Sequence, residues 1–508
     1  MDKTLAEYLE RSLNADVYDV AIESPLERAP RLSERVGCEV LLKREDMQPI
    51  FAFKVRGAYN KMVRMNAADR ARGVVAASAG NHAQGVALAA QRLGCPATIV
   101  MPVTTPSIKV DAVRSFGAEV HLVGDSYAEA AAHATTMATE SGRAFVHPYD
   151  DPDVIAGQGT VGLEVLRQAG RKLDAIFVPI GGGGLAAGIV AVVKRLRPEV
   201  LVIGVEPVES AAMHRSLAEG HRVVLDQVGL FADGVAVKQV GEETFRICRA
   251  LLDEVVLVDN DAMCAAIKDV FEDTRTVLEP AGALAIAGLK AWAAREGAKG
   301  QRLVAIASGA NVNFDRLRYV AERAEAGEQR EALFAVTIPE KPGSFRAFCT
   351  LLGRRGITEF NYRYADANEA HVFVGVEIAN HSERGSIVAA LHRAGLPAID
   401  LSDDETSKLH IRHMVGGRAN VAGEVLYRIV FPERPGALAR FLETVSQGCN
   451  ISLFHYRNHG ADYGRVLVGV QVATGQEEAF RARLDAFGFE YTEETQNPAY
   501  KFFVRGGE

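Results

Sequence analysis

From about Val40 to Ala310, short apolar runs alternate with longer segments of mixed polarity. Gly73–Ala77, Ala97–Met101, Ala118–Val123, Asp174–Ile180, Val200–Val205 and Arg302–Ala307 are strand-sized and rich in valine, isoleucine and alanine. Several are apolar throughout, the pattern of strands covered on both faces. Asn81 to Leu93 and Gln158 to Gln168 read instead as helices. Such alternation predicts an α/β domain with mostly parallel sheets. Ligands of these sheets gather at the carboxyl ends of strands, where the glycine, serine and asparagine loops of this chain fall.

Beyond about Asn313 the pattern changes. Arg316 to Glu331 is a charged helical connector. Past it the chain repeats itself: Phe334-Ala-Val-Thr-Ile-Pro-Glu-Lys-Pro-Gly343 matches Tyr427-Arg-Ile-Val-Phe-Pro-Glu-Arg-Pro-Gly436, and Ile357–Arg363 matches Ile451–Arg457. The copies lie 93 residues apart at Pro339 and Pro432, and 94 apart at Ile357 and Ile451. Each reads strand, turn, helix, strand, so two small α+β modules stand in tandem. The expected division is 1–315 for the α/β domain, 316–331 for the connector, and 332–405 and 425–502 for the modules.

Bulk composition narrows the class of function. A chain of 508 residues with 48% hydrophobic and 24% charged residues fits a soluble protein of two to four domains. Net charge of −8 argues against nucleic acid as a partner. The apolar stretches are strand-sized or carry charges, which argues against a membrane span, and Met1–Glu7 does not read as a signal peptide. Six cysteines without a Cys-x-x-Cys pair read as free thiols of a reducing cytoplasm. His410 and His413 form the one close histidine pair; as exposed strand residues they would point to opposite faces, so no metal site is expected.

The chemistry begins at Gly181-Gly182-Gly183-Gly184, where a buried strand meets a helix opened by Leu185. Glycines there bring backbone N–H groups close to a ligand, and a helix N-terminus adds partial positive charge, so a phosphate is the natural guest. No Lys-Ser or Lys-Thr follows, and the dinucleotide Gly-x-Gly-x-x-Gly frame is absent. A plain glycine-rich turn is the simpler reading, but four glycines forfeit much chain entropy for a turn alone. Lys54 lies in the apolar, aromatic stretch Phe51–Tyr59, where desolvation would lower its pKa and free the amine for a Schiff base. Ser78-Ala79-Gly80-Asn81-His82 joins a strand to a helix and suits a carboxylate or a ring hydroxyl; the alternative is a helix N-cap by Ser78 or Asn81. Ser308 puts a hydroxyl at the end of the last strand. Lysine, carboxylate loop, phosphate loop and terminal serine together are the parts of a pyridoxal phosphate site.

These blocks resemble the fold-type II pyridoxal-phosphate enzymes, and among them the biosynthetic threonine dehydratases. The resemblance rests on Lys43-Arg44-Glu45-Asp46, Phe53-Lys54-Val55-Arg56-Gly57-Ala58, Ser78–Gly85, the tetraglycine and Leu278-Glu279-Pro280-Ala281-Gly282-Ala283. It implies a two-subdomain catalytic domain of the tryptophan synthase β type, followed by two ACT-like (ferredoxin-like) regulatory modules. Lys54 would take the cofactor covalently and Phe53 would pack on its ring. Asn81 would meet the ring hydroxyl, Gly181 to Gly184 with Leu185 would hold the phosphate, and Ser308 would bond the pyridine nitrogen. Ser78, Ala79, Gly80, Asn81 and His82 would bind the substrate carboxylate.

The implied activity is deamination of L-threonine to 2-oxobutanoate and ammonia, in a cytoplasmic homotetramer inhibited by L-isoleucine and activated by L-valine. Asn361, Tyr362, His455 and Tyr456 would face those effectors, or else serve as core or dimer contacts. His82 reads as structural, Glu279 as a helix start as much as a pocket wall, and Asp233 matches a family segment without a role. Two alternatives stay open: a serine dehydratase or racemase with this tail, and a non-catalytic amino-acid sensor.

Overall fold

The computed structural model describes residues 2–327, 330–339, 348, 351–352, 355, 357–363, 369–413, 423–432, 450–457, 463–473, 475–488 and 490–505. Two units result, Met1–Val320 and Ala321–Glu508, and the division falls inside a connector helix, Arg316–Gly327.

In the first unit β1 (Leu26–Arg28) and β2 (Glu39–Arg44) begin a larger sheet. The chain then leaves it to build a small sheet from β3 (Val74–Ala77), β4 (Ala97–Met101), β5 (Glu119–Leu122) and β6 (Ala144–Phe145). It returns with β7 (Ala175–Pro179), β8 (Leu201–Pro207), β9 (Glu254–Val258) and β10 (Arg302–Ala307). The larger sheet runs β1-β2-β10-β7-β8-β9 and the small one β5-β4-β3-β6. Only the β1–β2 pairing is antiparallel. All of β3, β4 and β7 is buried, which explains their unbroken apolar runs.

The helix expected from Gln158 starts earlier, at Pro152. Asp151 caps it by accepting the N–H groups of Asp153 and Val154. From Val154 to Thr160 every residue is buried, so beyond Pro152 and Asp153 no polar face marks the helix in the sequence.

The second unit repeats one topology. Strands β11 (Glu331–Pro339), β12 (Ile357–Arg363), β13 (Glu369–Glu377) and β14 (Ala398–Asp400) form an antiparallel sheet in the order β12-β13-β11-β14. The second copy, β15 (Glu424–Pro432), β16 (Asn450–Arg457), β17 (Tyr463–Gln471) and β18 (Glu490–Glu493), runs β16-β17-β15-β18. Both carry a register slip at the same place, between Ile357 and Glu359 and between Ile451 and Leu453.

Both faces of β11 are buried. Phe334, Val336 and Ile338 pack with Ile387 and Leu391 of their own module. Leu333 and Ala335 pack with Leu426, Leu467, Ala499 and Tyr500 of the other. The Pro-Glu-Lys/Arg-Pro-Gly turns beyond Pro339 and Pro432 lie outside the described residues. One expectation is overturned: His410 is not an exposed strand residue but fully buried at the end of the helix Glu405–Leu409, whose start Asp404 caps. Among the described residues, no helix is long and apolar enough to cross a membrane.

Candidate active site

Lys54 opens the helix Lys54–Val63. The arm before it is stitched to the end of β10: Ala52 bridges Gly309, the Phe53 N–H donates to the Ser308 carbonyl, and the Ala310 N–H to the Phe51 carbonyl. Phe51 turns the chain in a left-handed conformation, φ 56°. Lys54 Nζ donates to the Pro148 carbonyl at 2.8 Å and lies 5.3 Å from the Phe53 ring centroid. Burial pushes this ammonium down to about 8, so the neutral amine is accessible near physiological pH.

Behind Lys54 the helix rests on a buried charge network. Arg56 clamps Glu45 with two bonds, of 2.7 and 2.8 Å, and reaches Glu164 at 2.6 Å. Lys43 donates to Glu164 at 2.5 Å and to the Ser24 carbonyl at 2.6 Å. Two cations thus face two carboxylates, all essentially without solvent exposure.

The tetraglycine lies at the carboxyl end of β7, and the helix Gly184–Leu196 starts there without a side-chain cap. A Cβ on Gly182 would lie 2.2 Å from the Tyr149 ring, and one on Gly183 would lie 2.9 Å from Thr244 Oγ1. Gly183 itself has φ 97°, so glycine is required twice over. The neighbouring helix Glu242–Leu251 is capped by Asp150, which accepts from the N–H groups of Glu242, Glu243 and Thr244. One helix start is thereby neutralised while the glycine-borne one keeps its N–H groups for an anion. The Leu185 side chain is buried in the core, leaving its backbone toward the loop.

Ser78 to Asn81 are partly exposed amid buried neighbours, and nothing lies within 4 Å of a Cβ placed on Gly80. The N-cap of the helix Asn81–Leu93 is Gly80, and neither Ser78 nor Asn81 caps it. Ser78 Oγ accepts the Gly80 N–H instead. Asn81 is held at both ends of its amide: Nδ2 donates to Glu279 Oε1 at 2.6 Å, and Oδ1 accepts from Asn311 Nδ2 at 2.7 Å. His82 Nε2 donates to the Val146 carbonyl at 2.9 Å, leaving Nδ1 buried and without a partner among the described residues. Burial, reinforced by Lys54, pushes that imidazole down to about 3, so it is neutral. Ser308 Oγ reaches the Ala281 carbonyl at 3.2 Å.

Glu279 is the N-cap residue of the helix Pro280–Glu296, yet its side chain makes no cap. Burial and the nearby Asp233 push its carboxyl up to about 7. Sequence reasoning missed Pro148, Tyr149, Asp150, Thr244 and Asn311 as parts of this site. A proline-flanked aromatic after a two-residue strand carries no signal of its own. The strands holding Asn361, Tyr362, His455 and Tyr456 are described, but those side chains lie outside the described residues.

The pieces fit a phosphorylated aromatic aldehyde. A desolvated amine suits its carbonyl, the glycine cradle and open helix start suit its phosphate, and an amide and a hydroxyl suit its ring. Pro148 and Tyr149 join the first two, because Pro148 receives Lys54 while the next ring lies against Gly182.

Comparison with known proteins points the same way. Residues 17–309 match the family of pyridoxal-phosphate dependent enzymes, and residues 322–411 and 415–504 each match the C-terminal regulatory domain of threonine dehydratase. The biosynthetic L-threonine dehydratase of Burkholderia multivorans is 60% identical over 98% of this chain and 99% of its own. The processed form of threonine deaminase isoform 2 from Solanum lycopersicum superposes with a TM-score of 0.63 at 52% identity, over 64% of this chain and 89% of that one. Maize serine racemase gives 0.57 at 31% identity, over 63% and 97%.

Proposed function

The chain belongs to the pyridoxal-phosphate-dependent enzymes, among the biosynthetic threonine dehydratases with a C-terminal regulatory domain, and on that premise we propose that it deaminates L-threonine to 2-oxobutanoate and ammonia by β-elimination of water. The similarity to a threonine dehydratase over 98% of the chain, tail included, carries this reading.

Pyridoxal phosphate, when bound, supplies a carbonyl for the substrate amine and a conjugated ring that draws electron density from Cα. Phe53 would pack on that ring, and Gly181 to Gly184 with Leu185 would hold the phosphate. Asn81, fixed by Glu279 and Asn311, would meet the ring hydroxyl, and Ser308 would meet the ring nitrogen with a neutral hydroxyl rather than a carboxylate. The loop Ser78–His82 would take the substrate carboxylate, its neutral His82 adding no competing charge. Lys54, whose pKa burial lowers to about 8 so that a usable fraction is neutral, takes the Cα proton as general base. Loss of the β-hydroxyl and hydrolysis of the resulting enamine then give the two products.

Some L-serine turnover is expected from the same chemistry. A serine-specific lyase or racemase is the alternative favoured by the likeness to maize serine racemase, and relative turnover of the two amino acids separates them. The tail would make the enzyme a cytoplasmic homotetramer inhibited by L-isoleucine and opposed by L-valine, with Asn361, Tyr362, His455 and Tyr456 at the effector sites. The test is 2-oxobutanoate formation from L-threonine with and without L-isoleucine. Sigmoidal inhibition is expected; absence of product would overturn the lyase, and indifference to isoleucine would overturn the sensor.

A further inference from the structure

Asp233 takes no part in the chemistry just described, yet the short segment around it meets a helix of the small-sheet region, the connector helix and the phosphate loop. Its Oδ2 lies 2.7 Å from Lys109 Nζ, on the helix Ser107–Ser115 that follows β4 of the small sheet. Its Oδ1 lies 3.5 Å from Arg316 Nη1, at the first residue of the connector helix. The same Arg316 nitrogen donates to the Phe231 carbonyl at 3.0 Å, and the Phe231 ring lies 4.9 Å from that of Tyr319, one turn further along. At the other end of the segment, a Cβ on Gly181 would come within 3.0 Å of Val235 Cα.

We propose that Asp233 is a positioning residue: one carboxylate shared by Lys109 and Arg316 ties the small-sheet part of the active site and the start of the connector helix to the phosphate loop. The Ser78–His82 loop rides on the small sheet that Lys109 helps to hold, so loss of the tie weakens substrate binding more than turnover. The connector continues into the regulatory unit, so a displacement of Arg316 reaches Gly181 through five residues, Phe231 to Val235. Asp233 is 28% and Lys109 17% exposed, more than the network behind Lys54, while Arg316 at 9% is buried, so the Lys109 side is the one nearer to solvent. The regulatory arm rests on the reading of the tail as an isoleucine sensor; the positioning arm does not.

The experiment uses full-length, cofactor-loaded protein and the variants Asp233→Asn, Lys109→Gln and Arg316→Gln. Asp233→Asn is expected to raise KM for L-threonine roughly five- to tenfold with a smaller change in kcat, and to hasten cofactor loss followed by absorbance. Lys109→Gln should reproduce the KM effect and leave the isoleucine midpoint in place. Arg316→Gln should move that midpoint by about fivefold or more. Should Asp233→Asn fail to fold, the other two variants decide the matter. KM, cofactor retention and isoleucine midpoint all within about twofold of the parent in the folded variants would overturn the proposal. If the parent itself ignores isoleucine, the sensor reading fails, and KM with cofactor release alone judges Asp233.

Discussion

Two buried carboxylates of the catalytic unit, Glu164 and Glu279, meet opposite fates. Glu164, behind the helix, would be raised by burial, but Arg56 and Lys43 outweigh that and hold it below the usual carboxylate range. Glu279, on the site side, receives the Asn81 amide, and among the described residues no cation forms an ion pair with it, so it rises to about 7. The chain encloses both side chains; the partner of each decides its charge. Paired with two cations in a buried platform, Glu164 stays ionised at neutrality. A carboxyl left with only an amide is raised to about 7 instead.

The comparison can be broken in four ways, in order of expected effect. Lys54→Ala removes the proposed base and should lower 2-oxobutanoate formation by at least about 10³-fold. Its urea unfolding midpoint should not fall, because the platform behind it remains whole. Retained turnover would end the assignment of Lys54.

Glu164→Ala should do the reverse. It removes the carboxylate that Arg56 and Lys43 share and should cost about 3–5 kcal/mol in urea unfolding. A loss under about 1 kcal/mol would mean that the platform is not electrostatic in origin.

Gly182→Ala tests whether the site side is as tightly built as the platform. The added methyl meets the Tyr149 ring, and an overpacking cost of about 1–3 kcal/mol would weaken cofactor retention roughly ten- to hundredfold. Cofactor absorbance reads this directly, and a second change, Tyr149→Ala, should recover part of the loss.

The smallest effect concerns pH. Glu279 is raised from 4.5 to about 7 in the folded protein, so the stability tied to its protonated form is present below its unfolded value. That stability is lost as pH climbs through about 7. Glu279→Gln cannot ionise, so its thermal midpoint should gain on the parent between about pH 5 and 8. A constant difference across that window would show Glu279 already ionised at the lower end.

Much of this site was legible because it departs from ordinary local patterns. Four contiguous glycines and a lysine among phenylalanines have few structural excuses. The strands were legible because buried parallel strands are apolar throughout. What escaped was assembled from afar: Asn81 meets Glu279 across 198 residues and Asn311 across 230, and no spacing in the chain announces such pairs. Tyr149 escaped because its role comes from where a two-residue strand deposits it. The start of the helix at Pro152 escaped because burial on all sides erases helical periodicity. His410, expected as an exposed strand residue, is instead buried at the end of a capped helix, with the buried Ile411 in the turn that follows.

The doubly covered strand β11 bears on inheritance and on engineering. A tandem duplication usually leaves copies that can be lost or borrowed singly. Here a chain cut after the first copy would bare Leu333, Ala335 and Phe373 to water, and a second copy alone would bare Leu426, Leu467 and Tyr500. The tail is thus a single heritable module of two parts, and a graft onto another enzyme should carry the pair or neither.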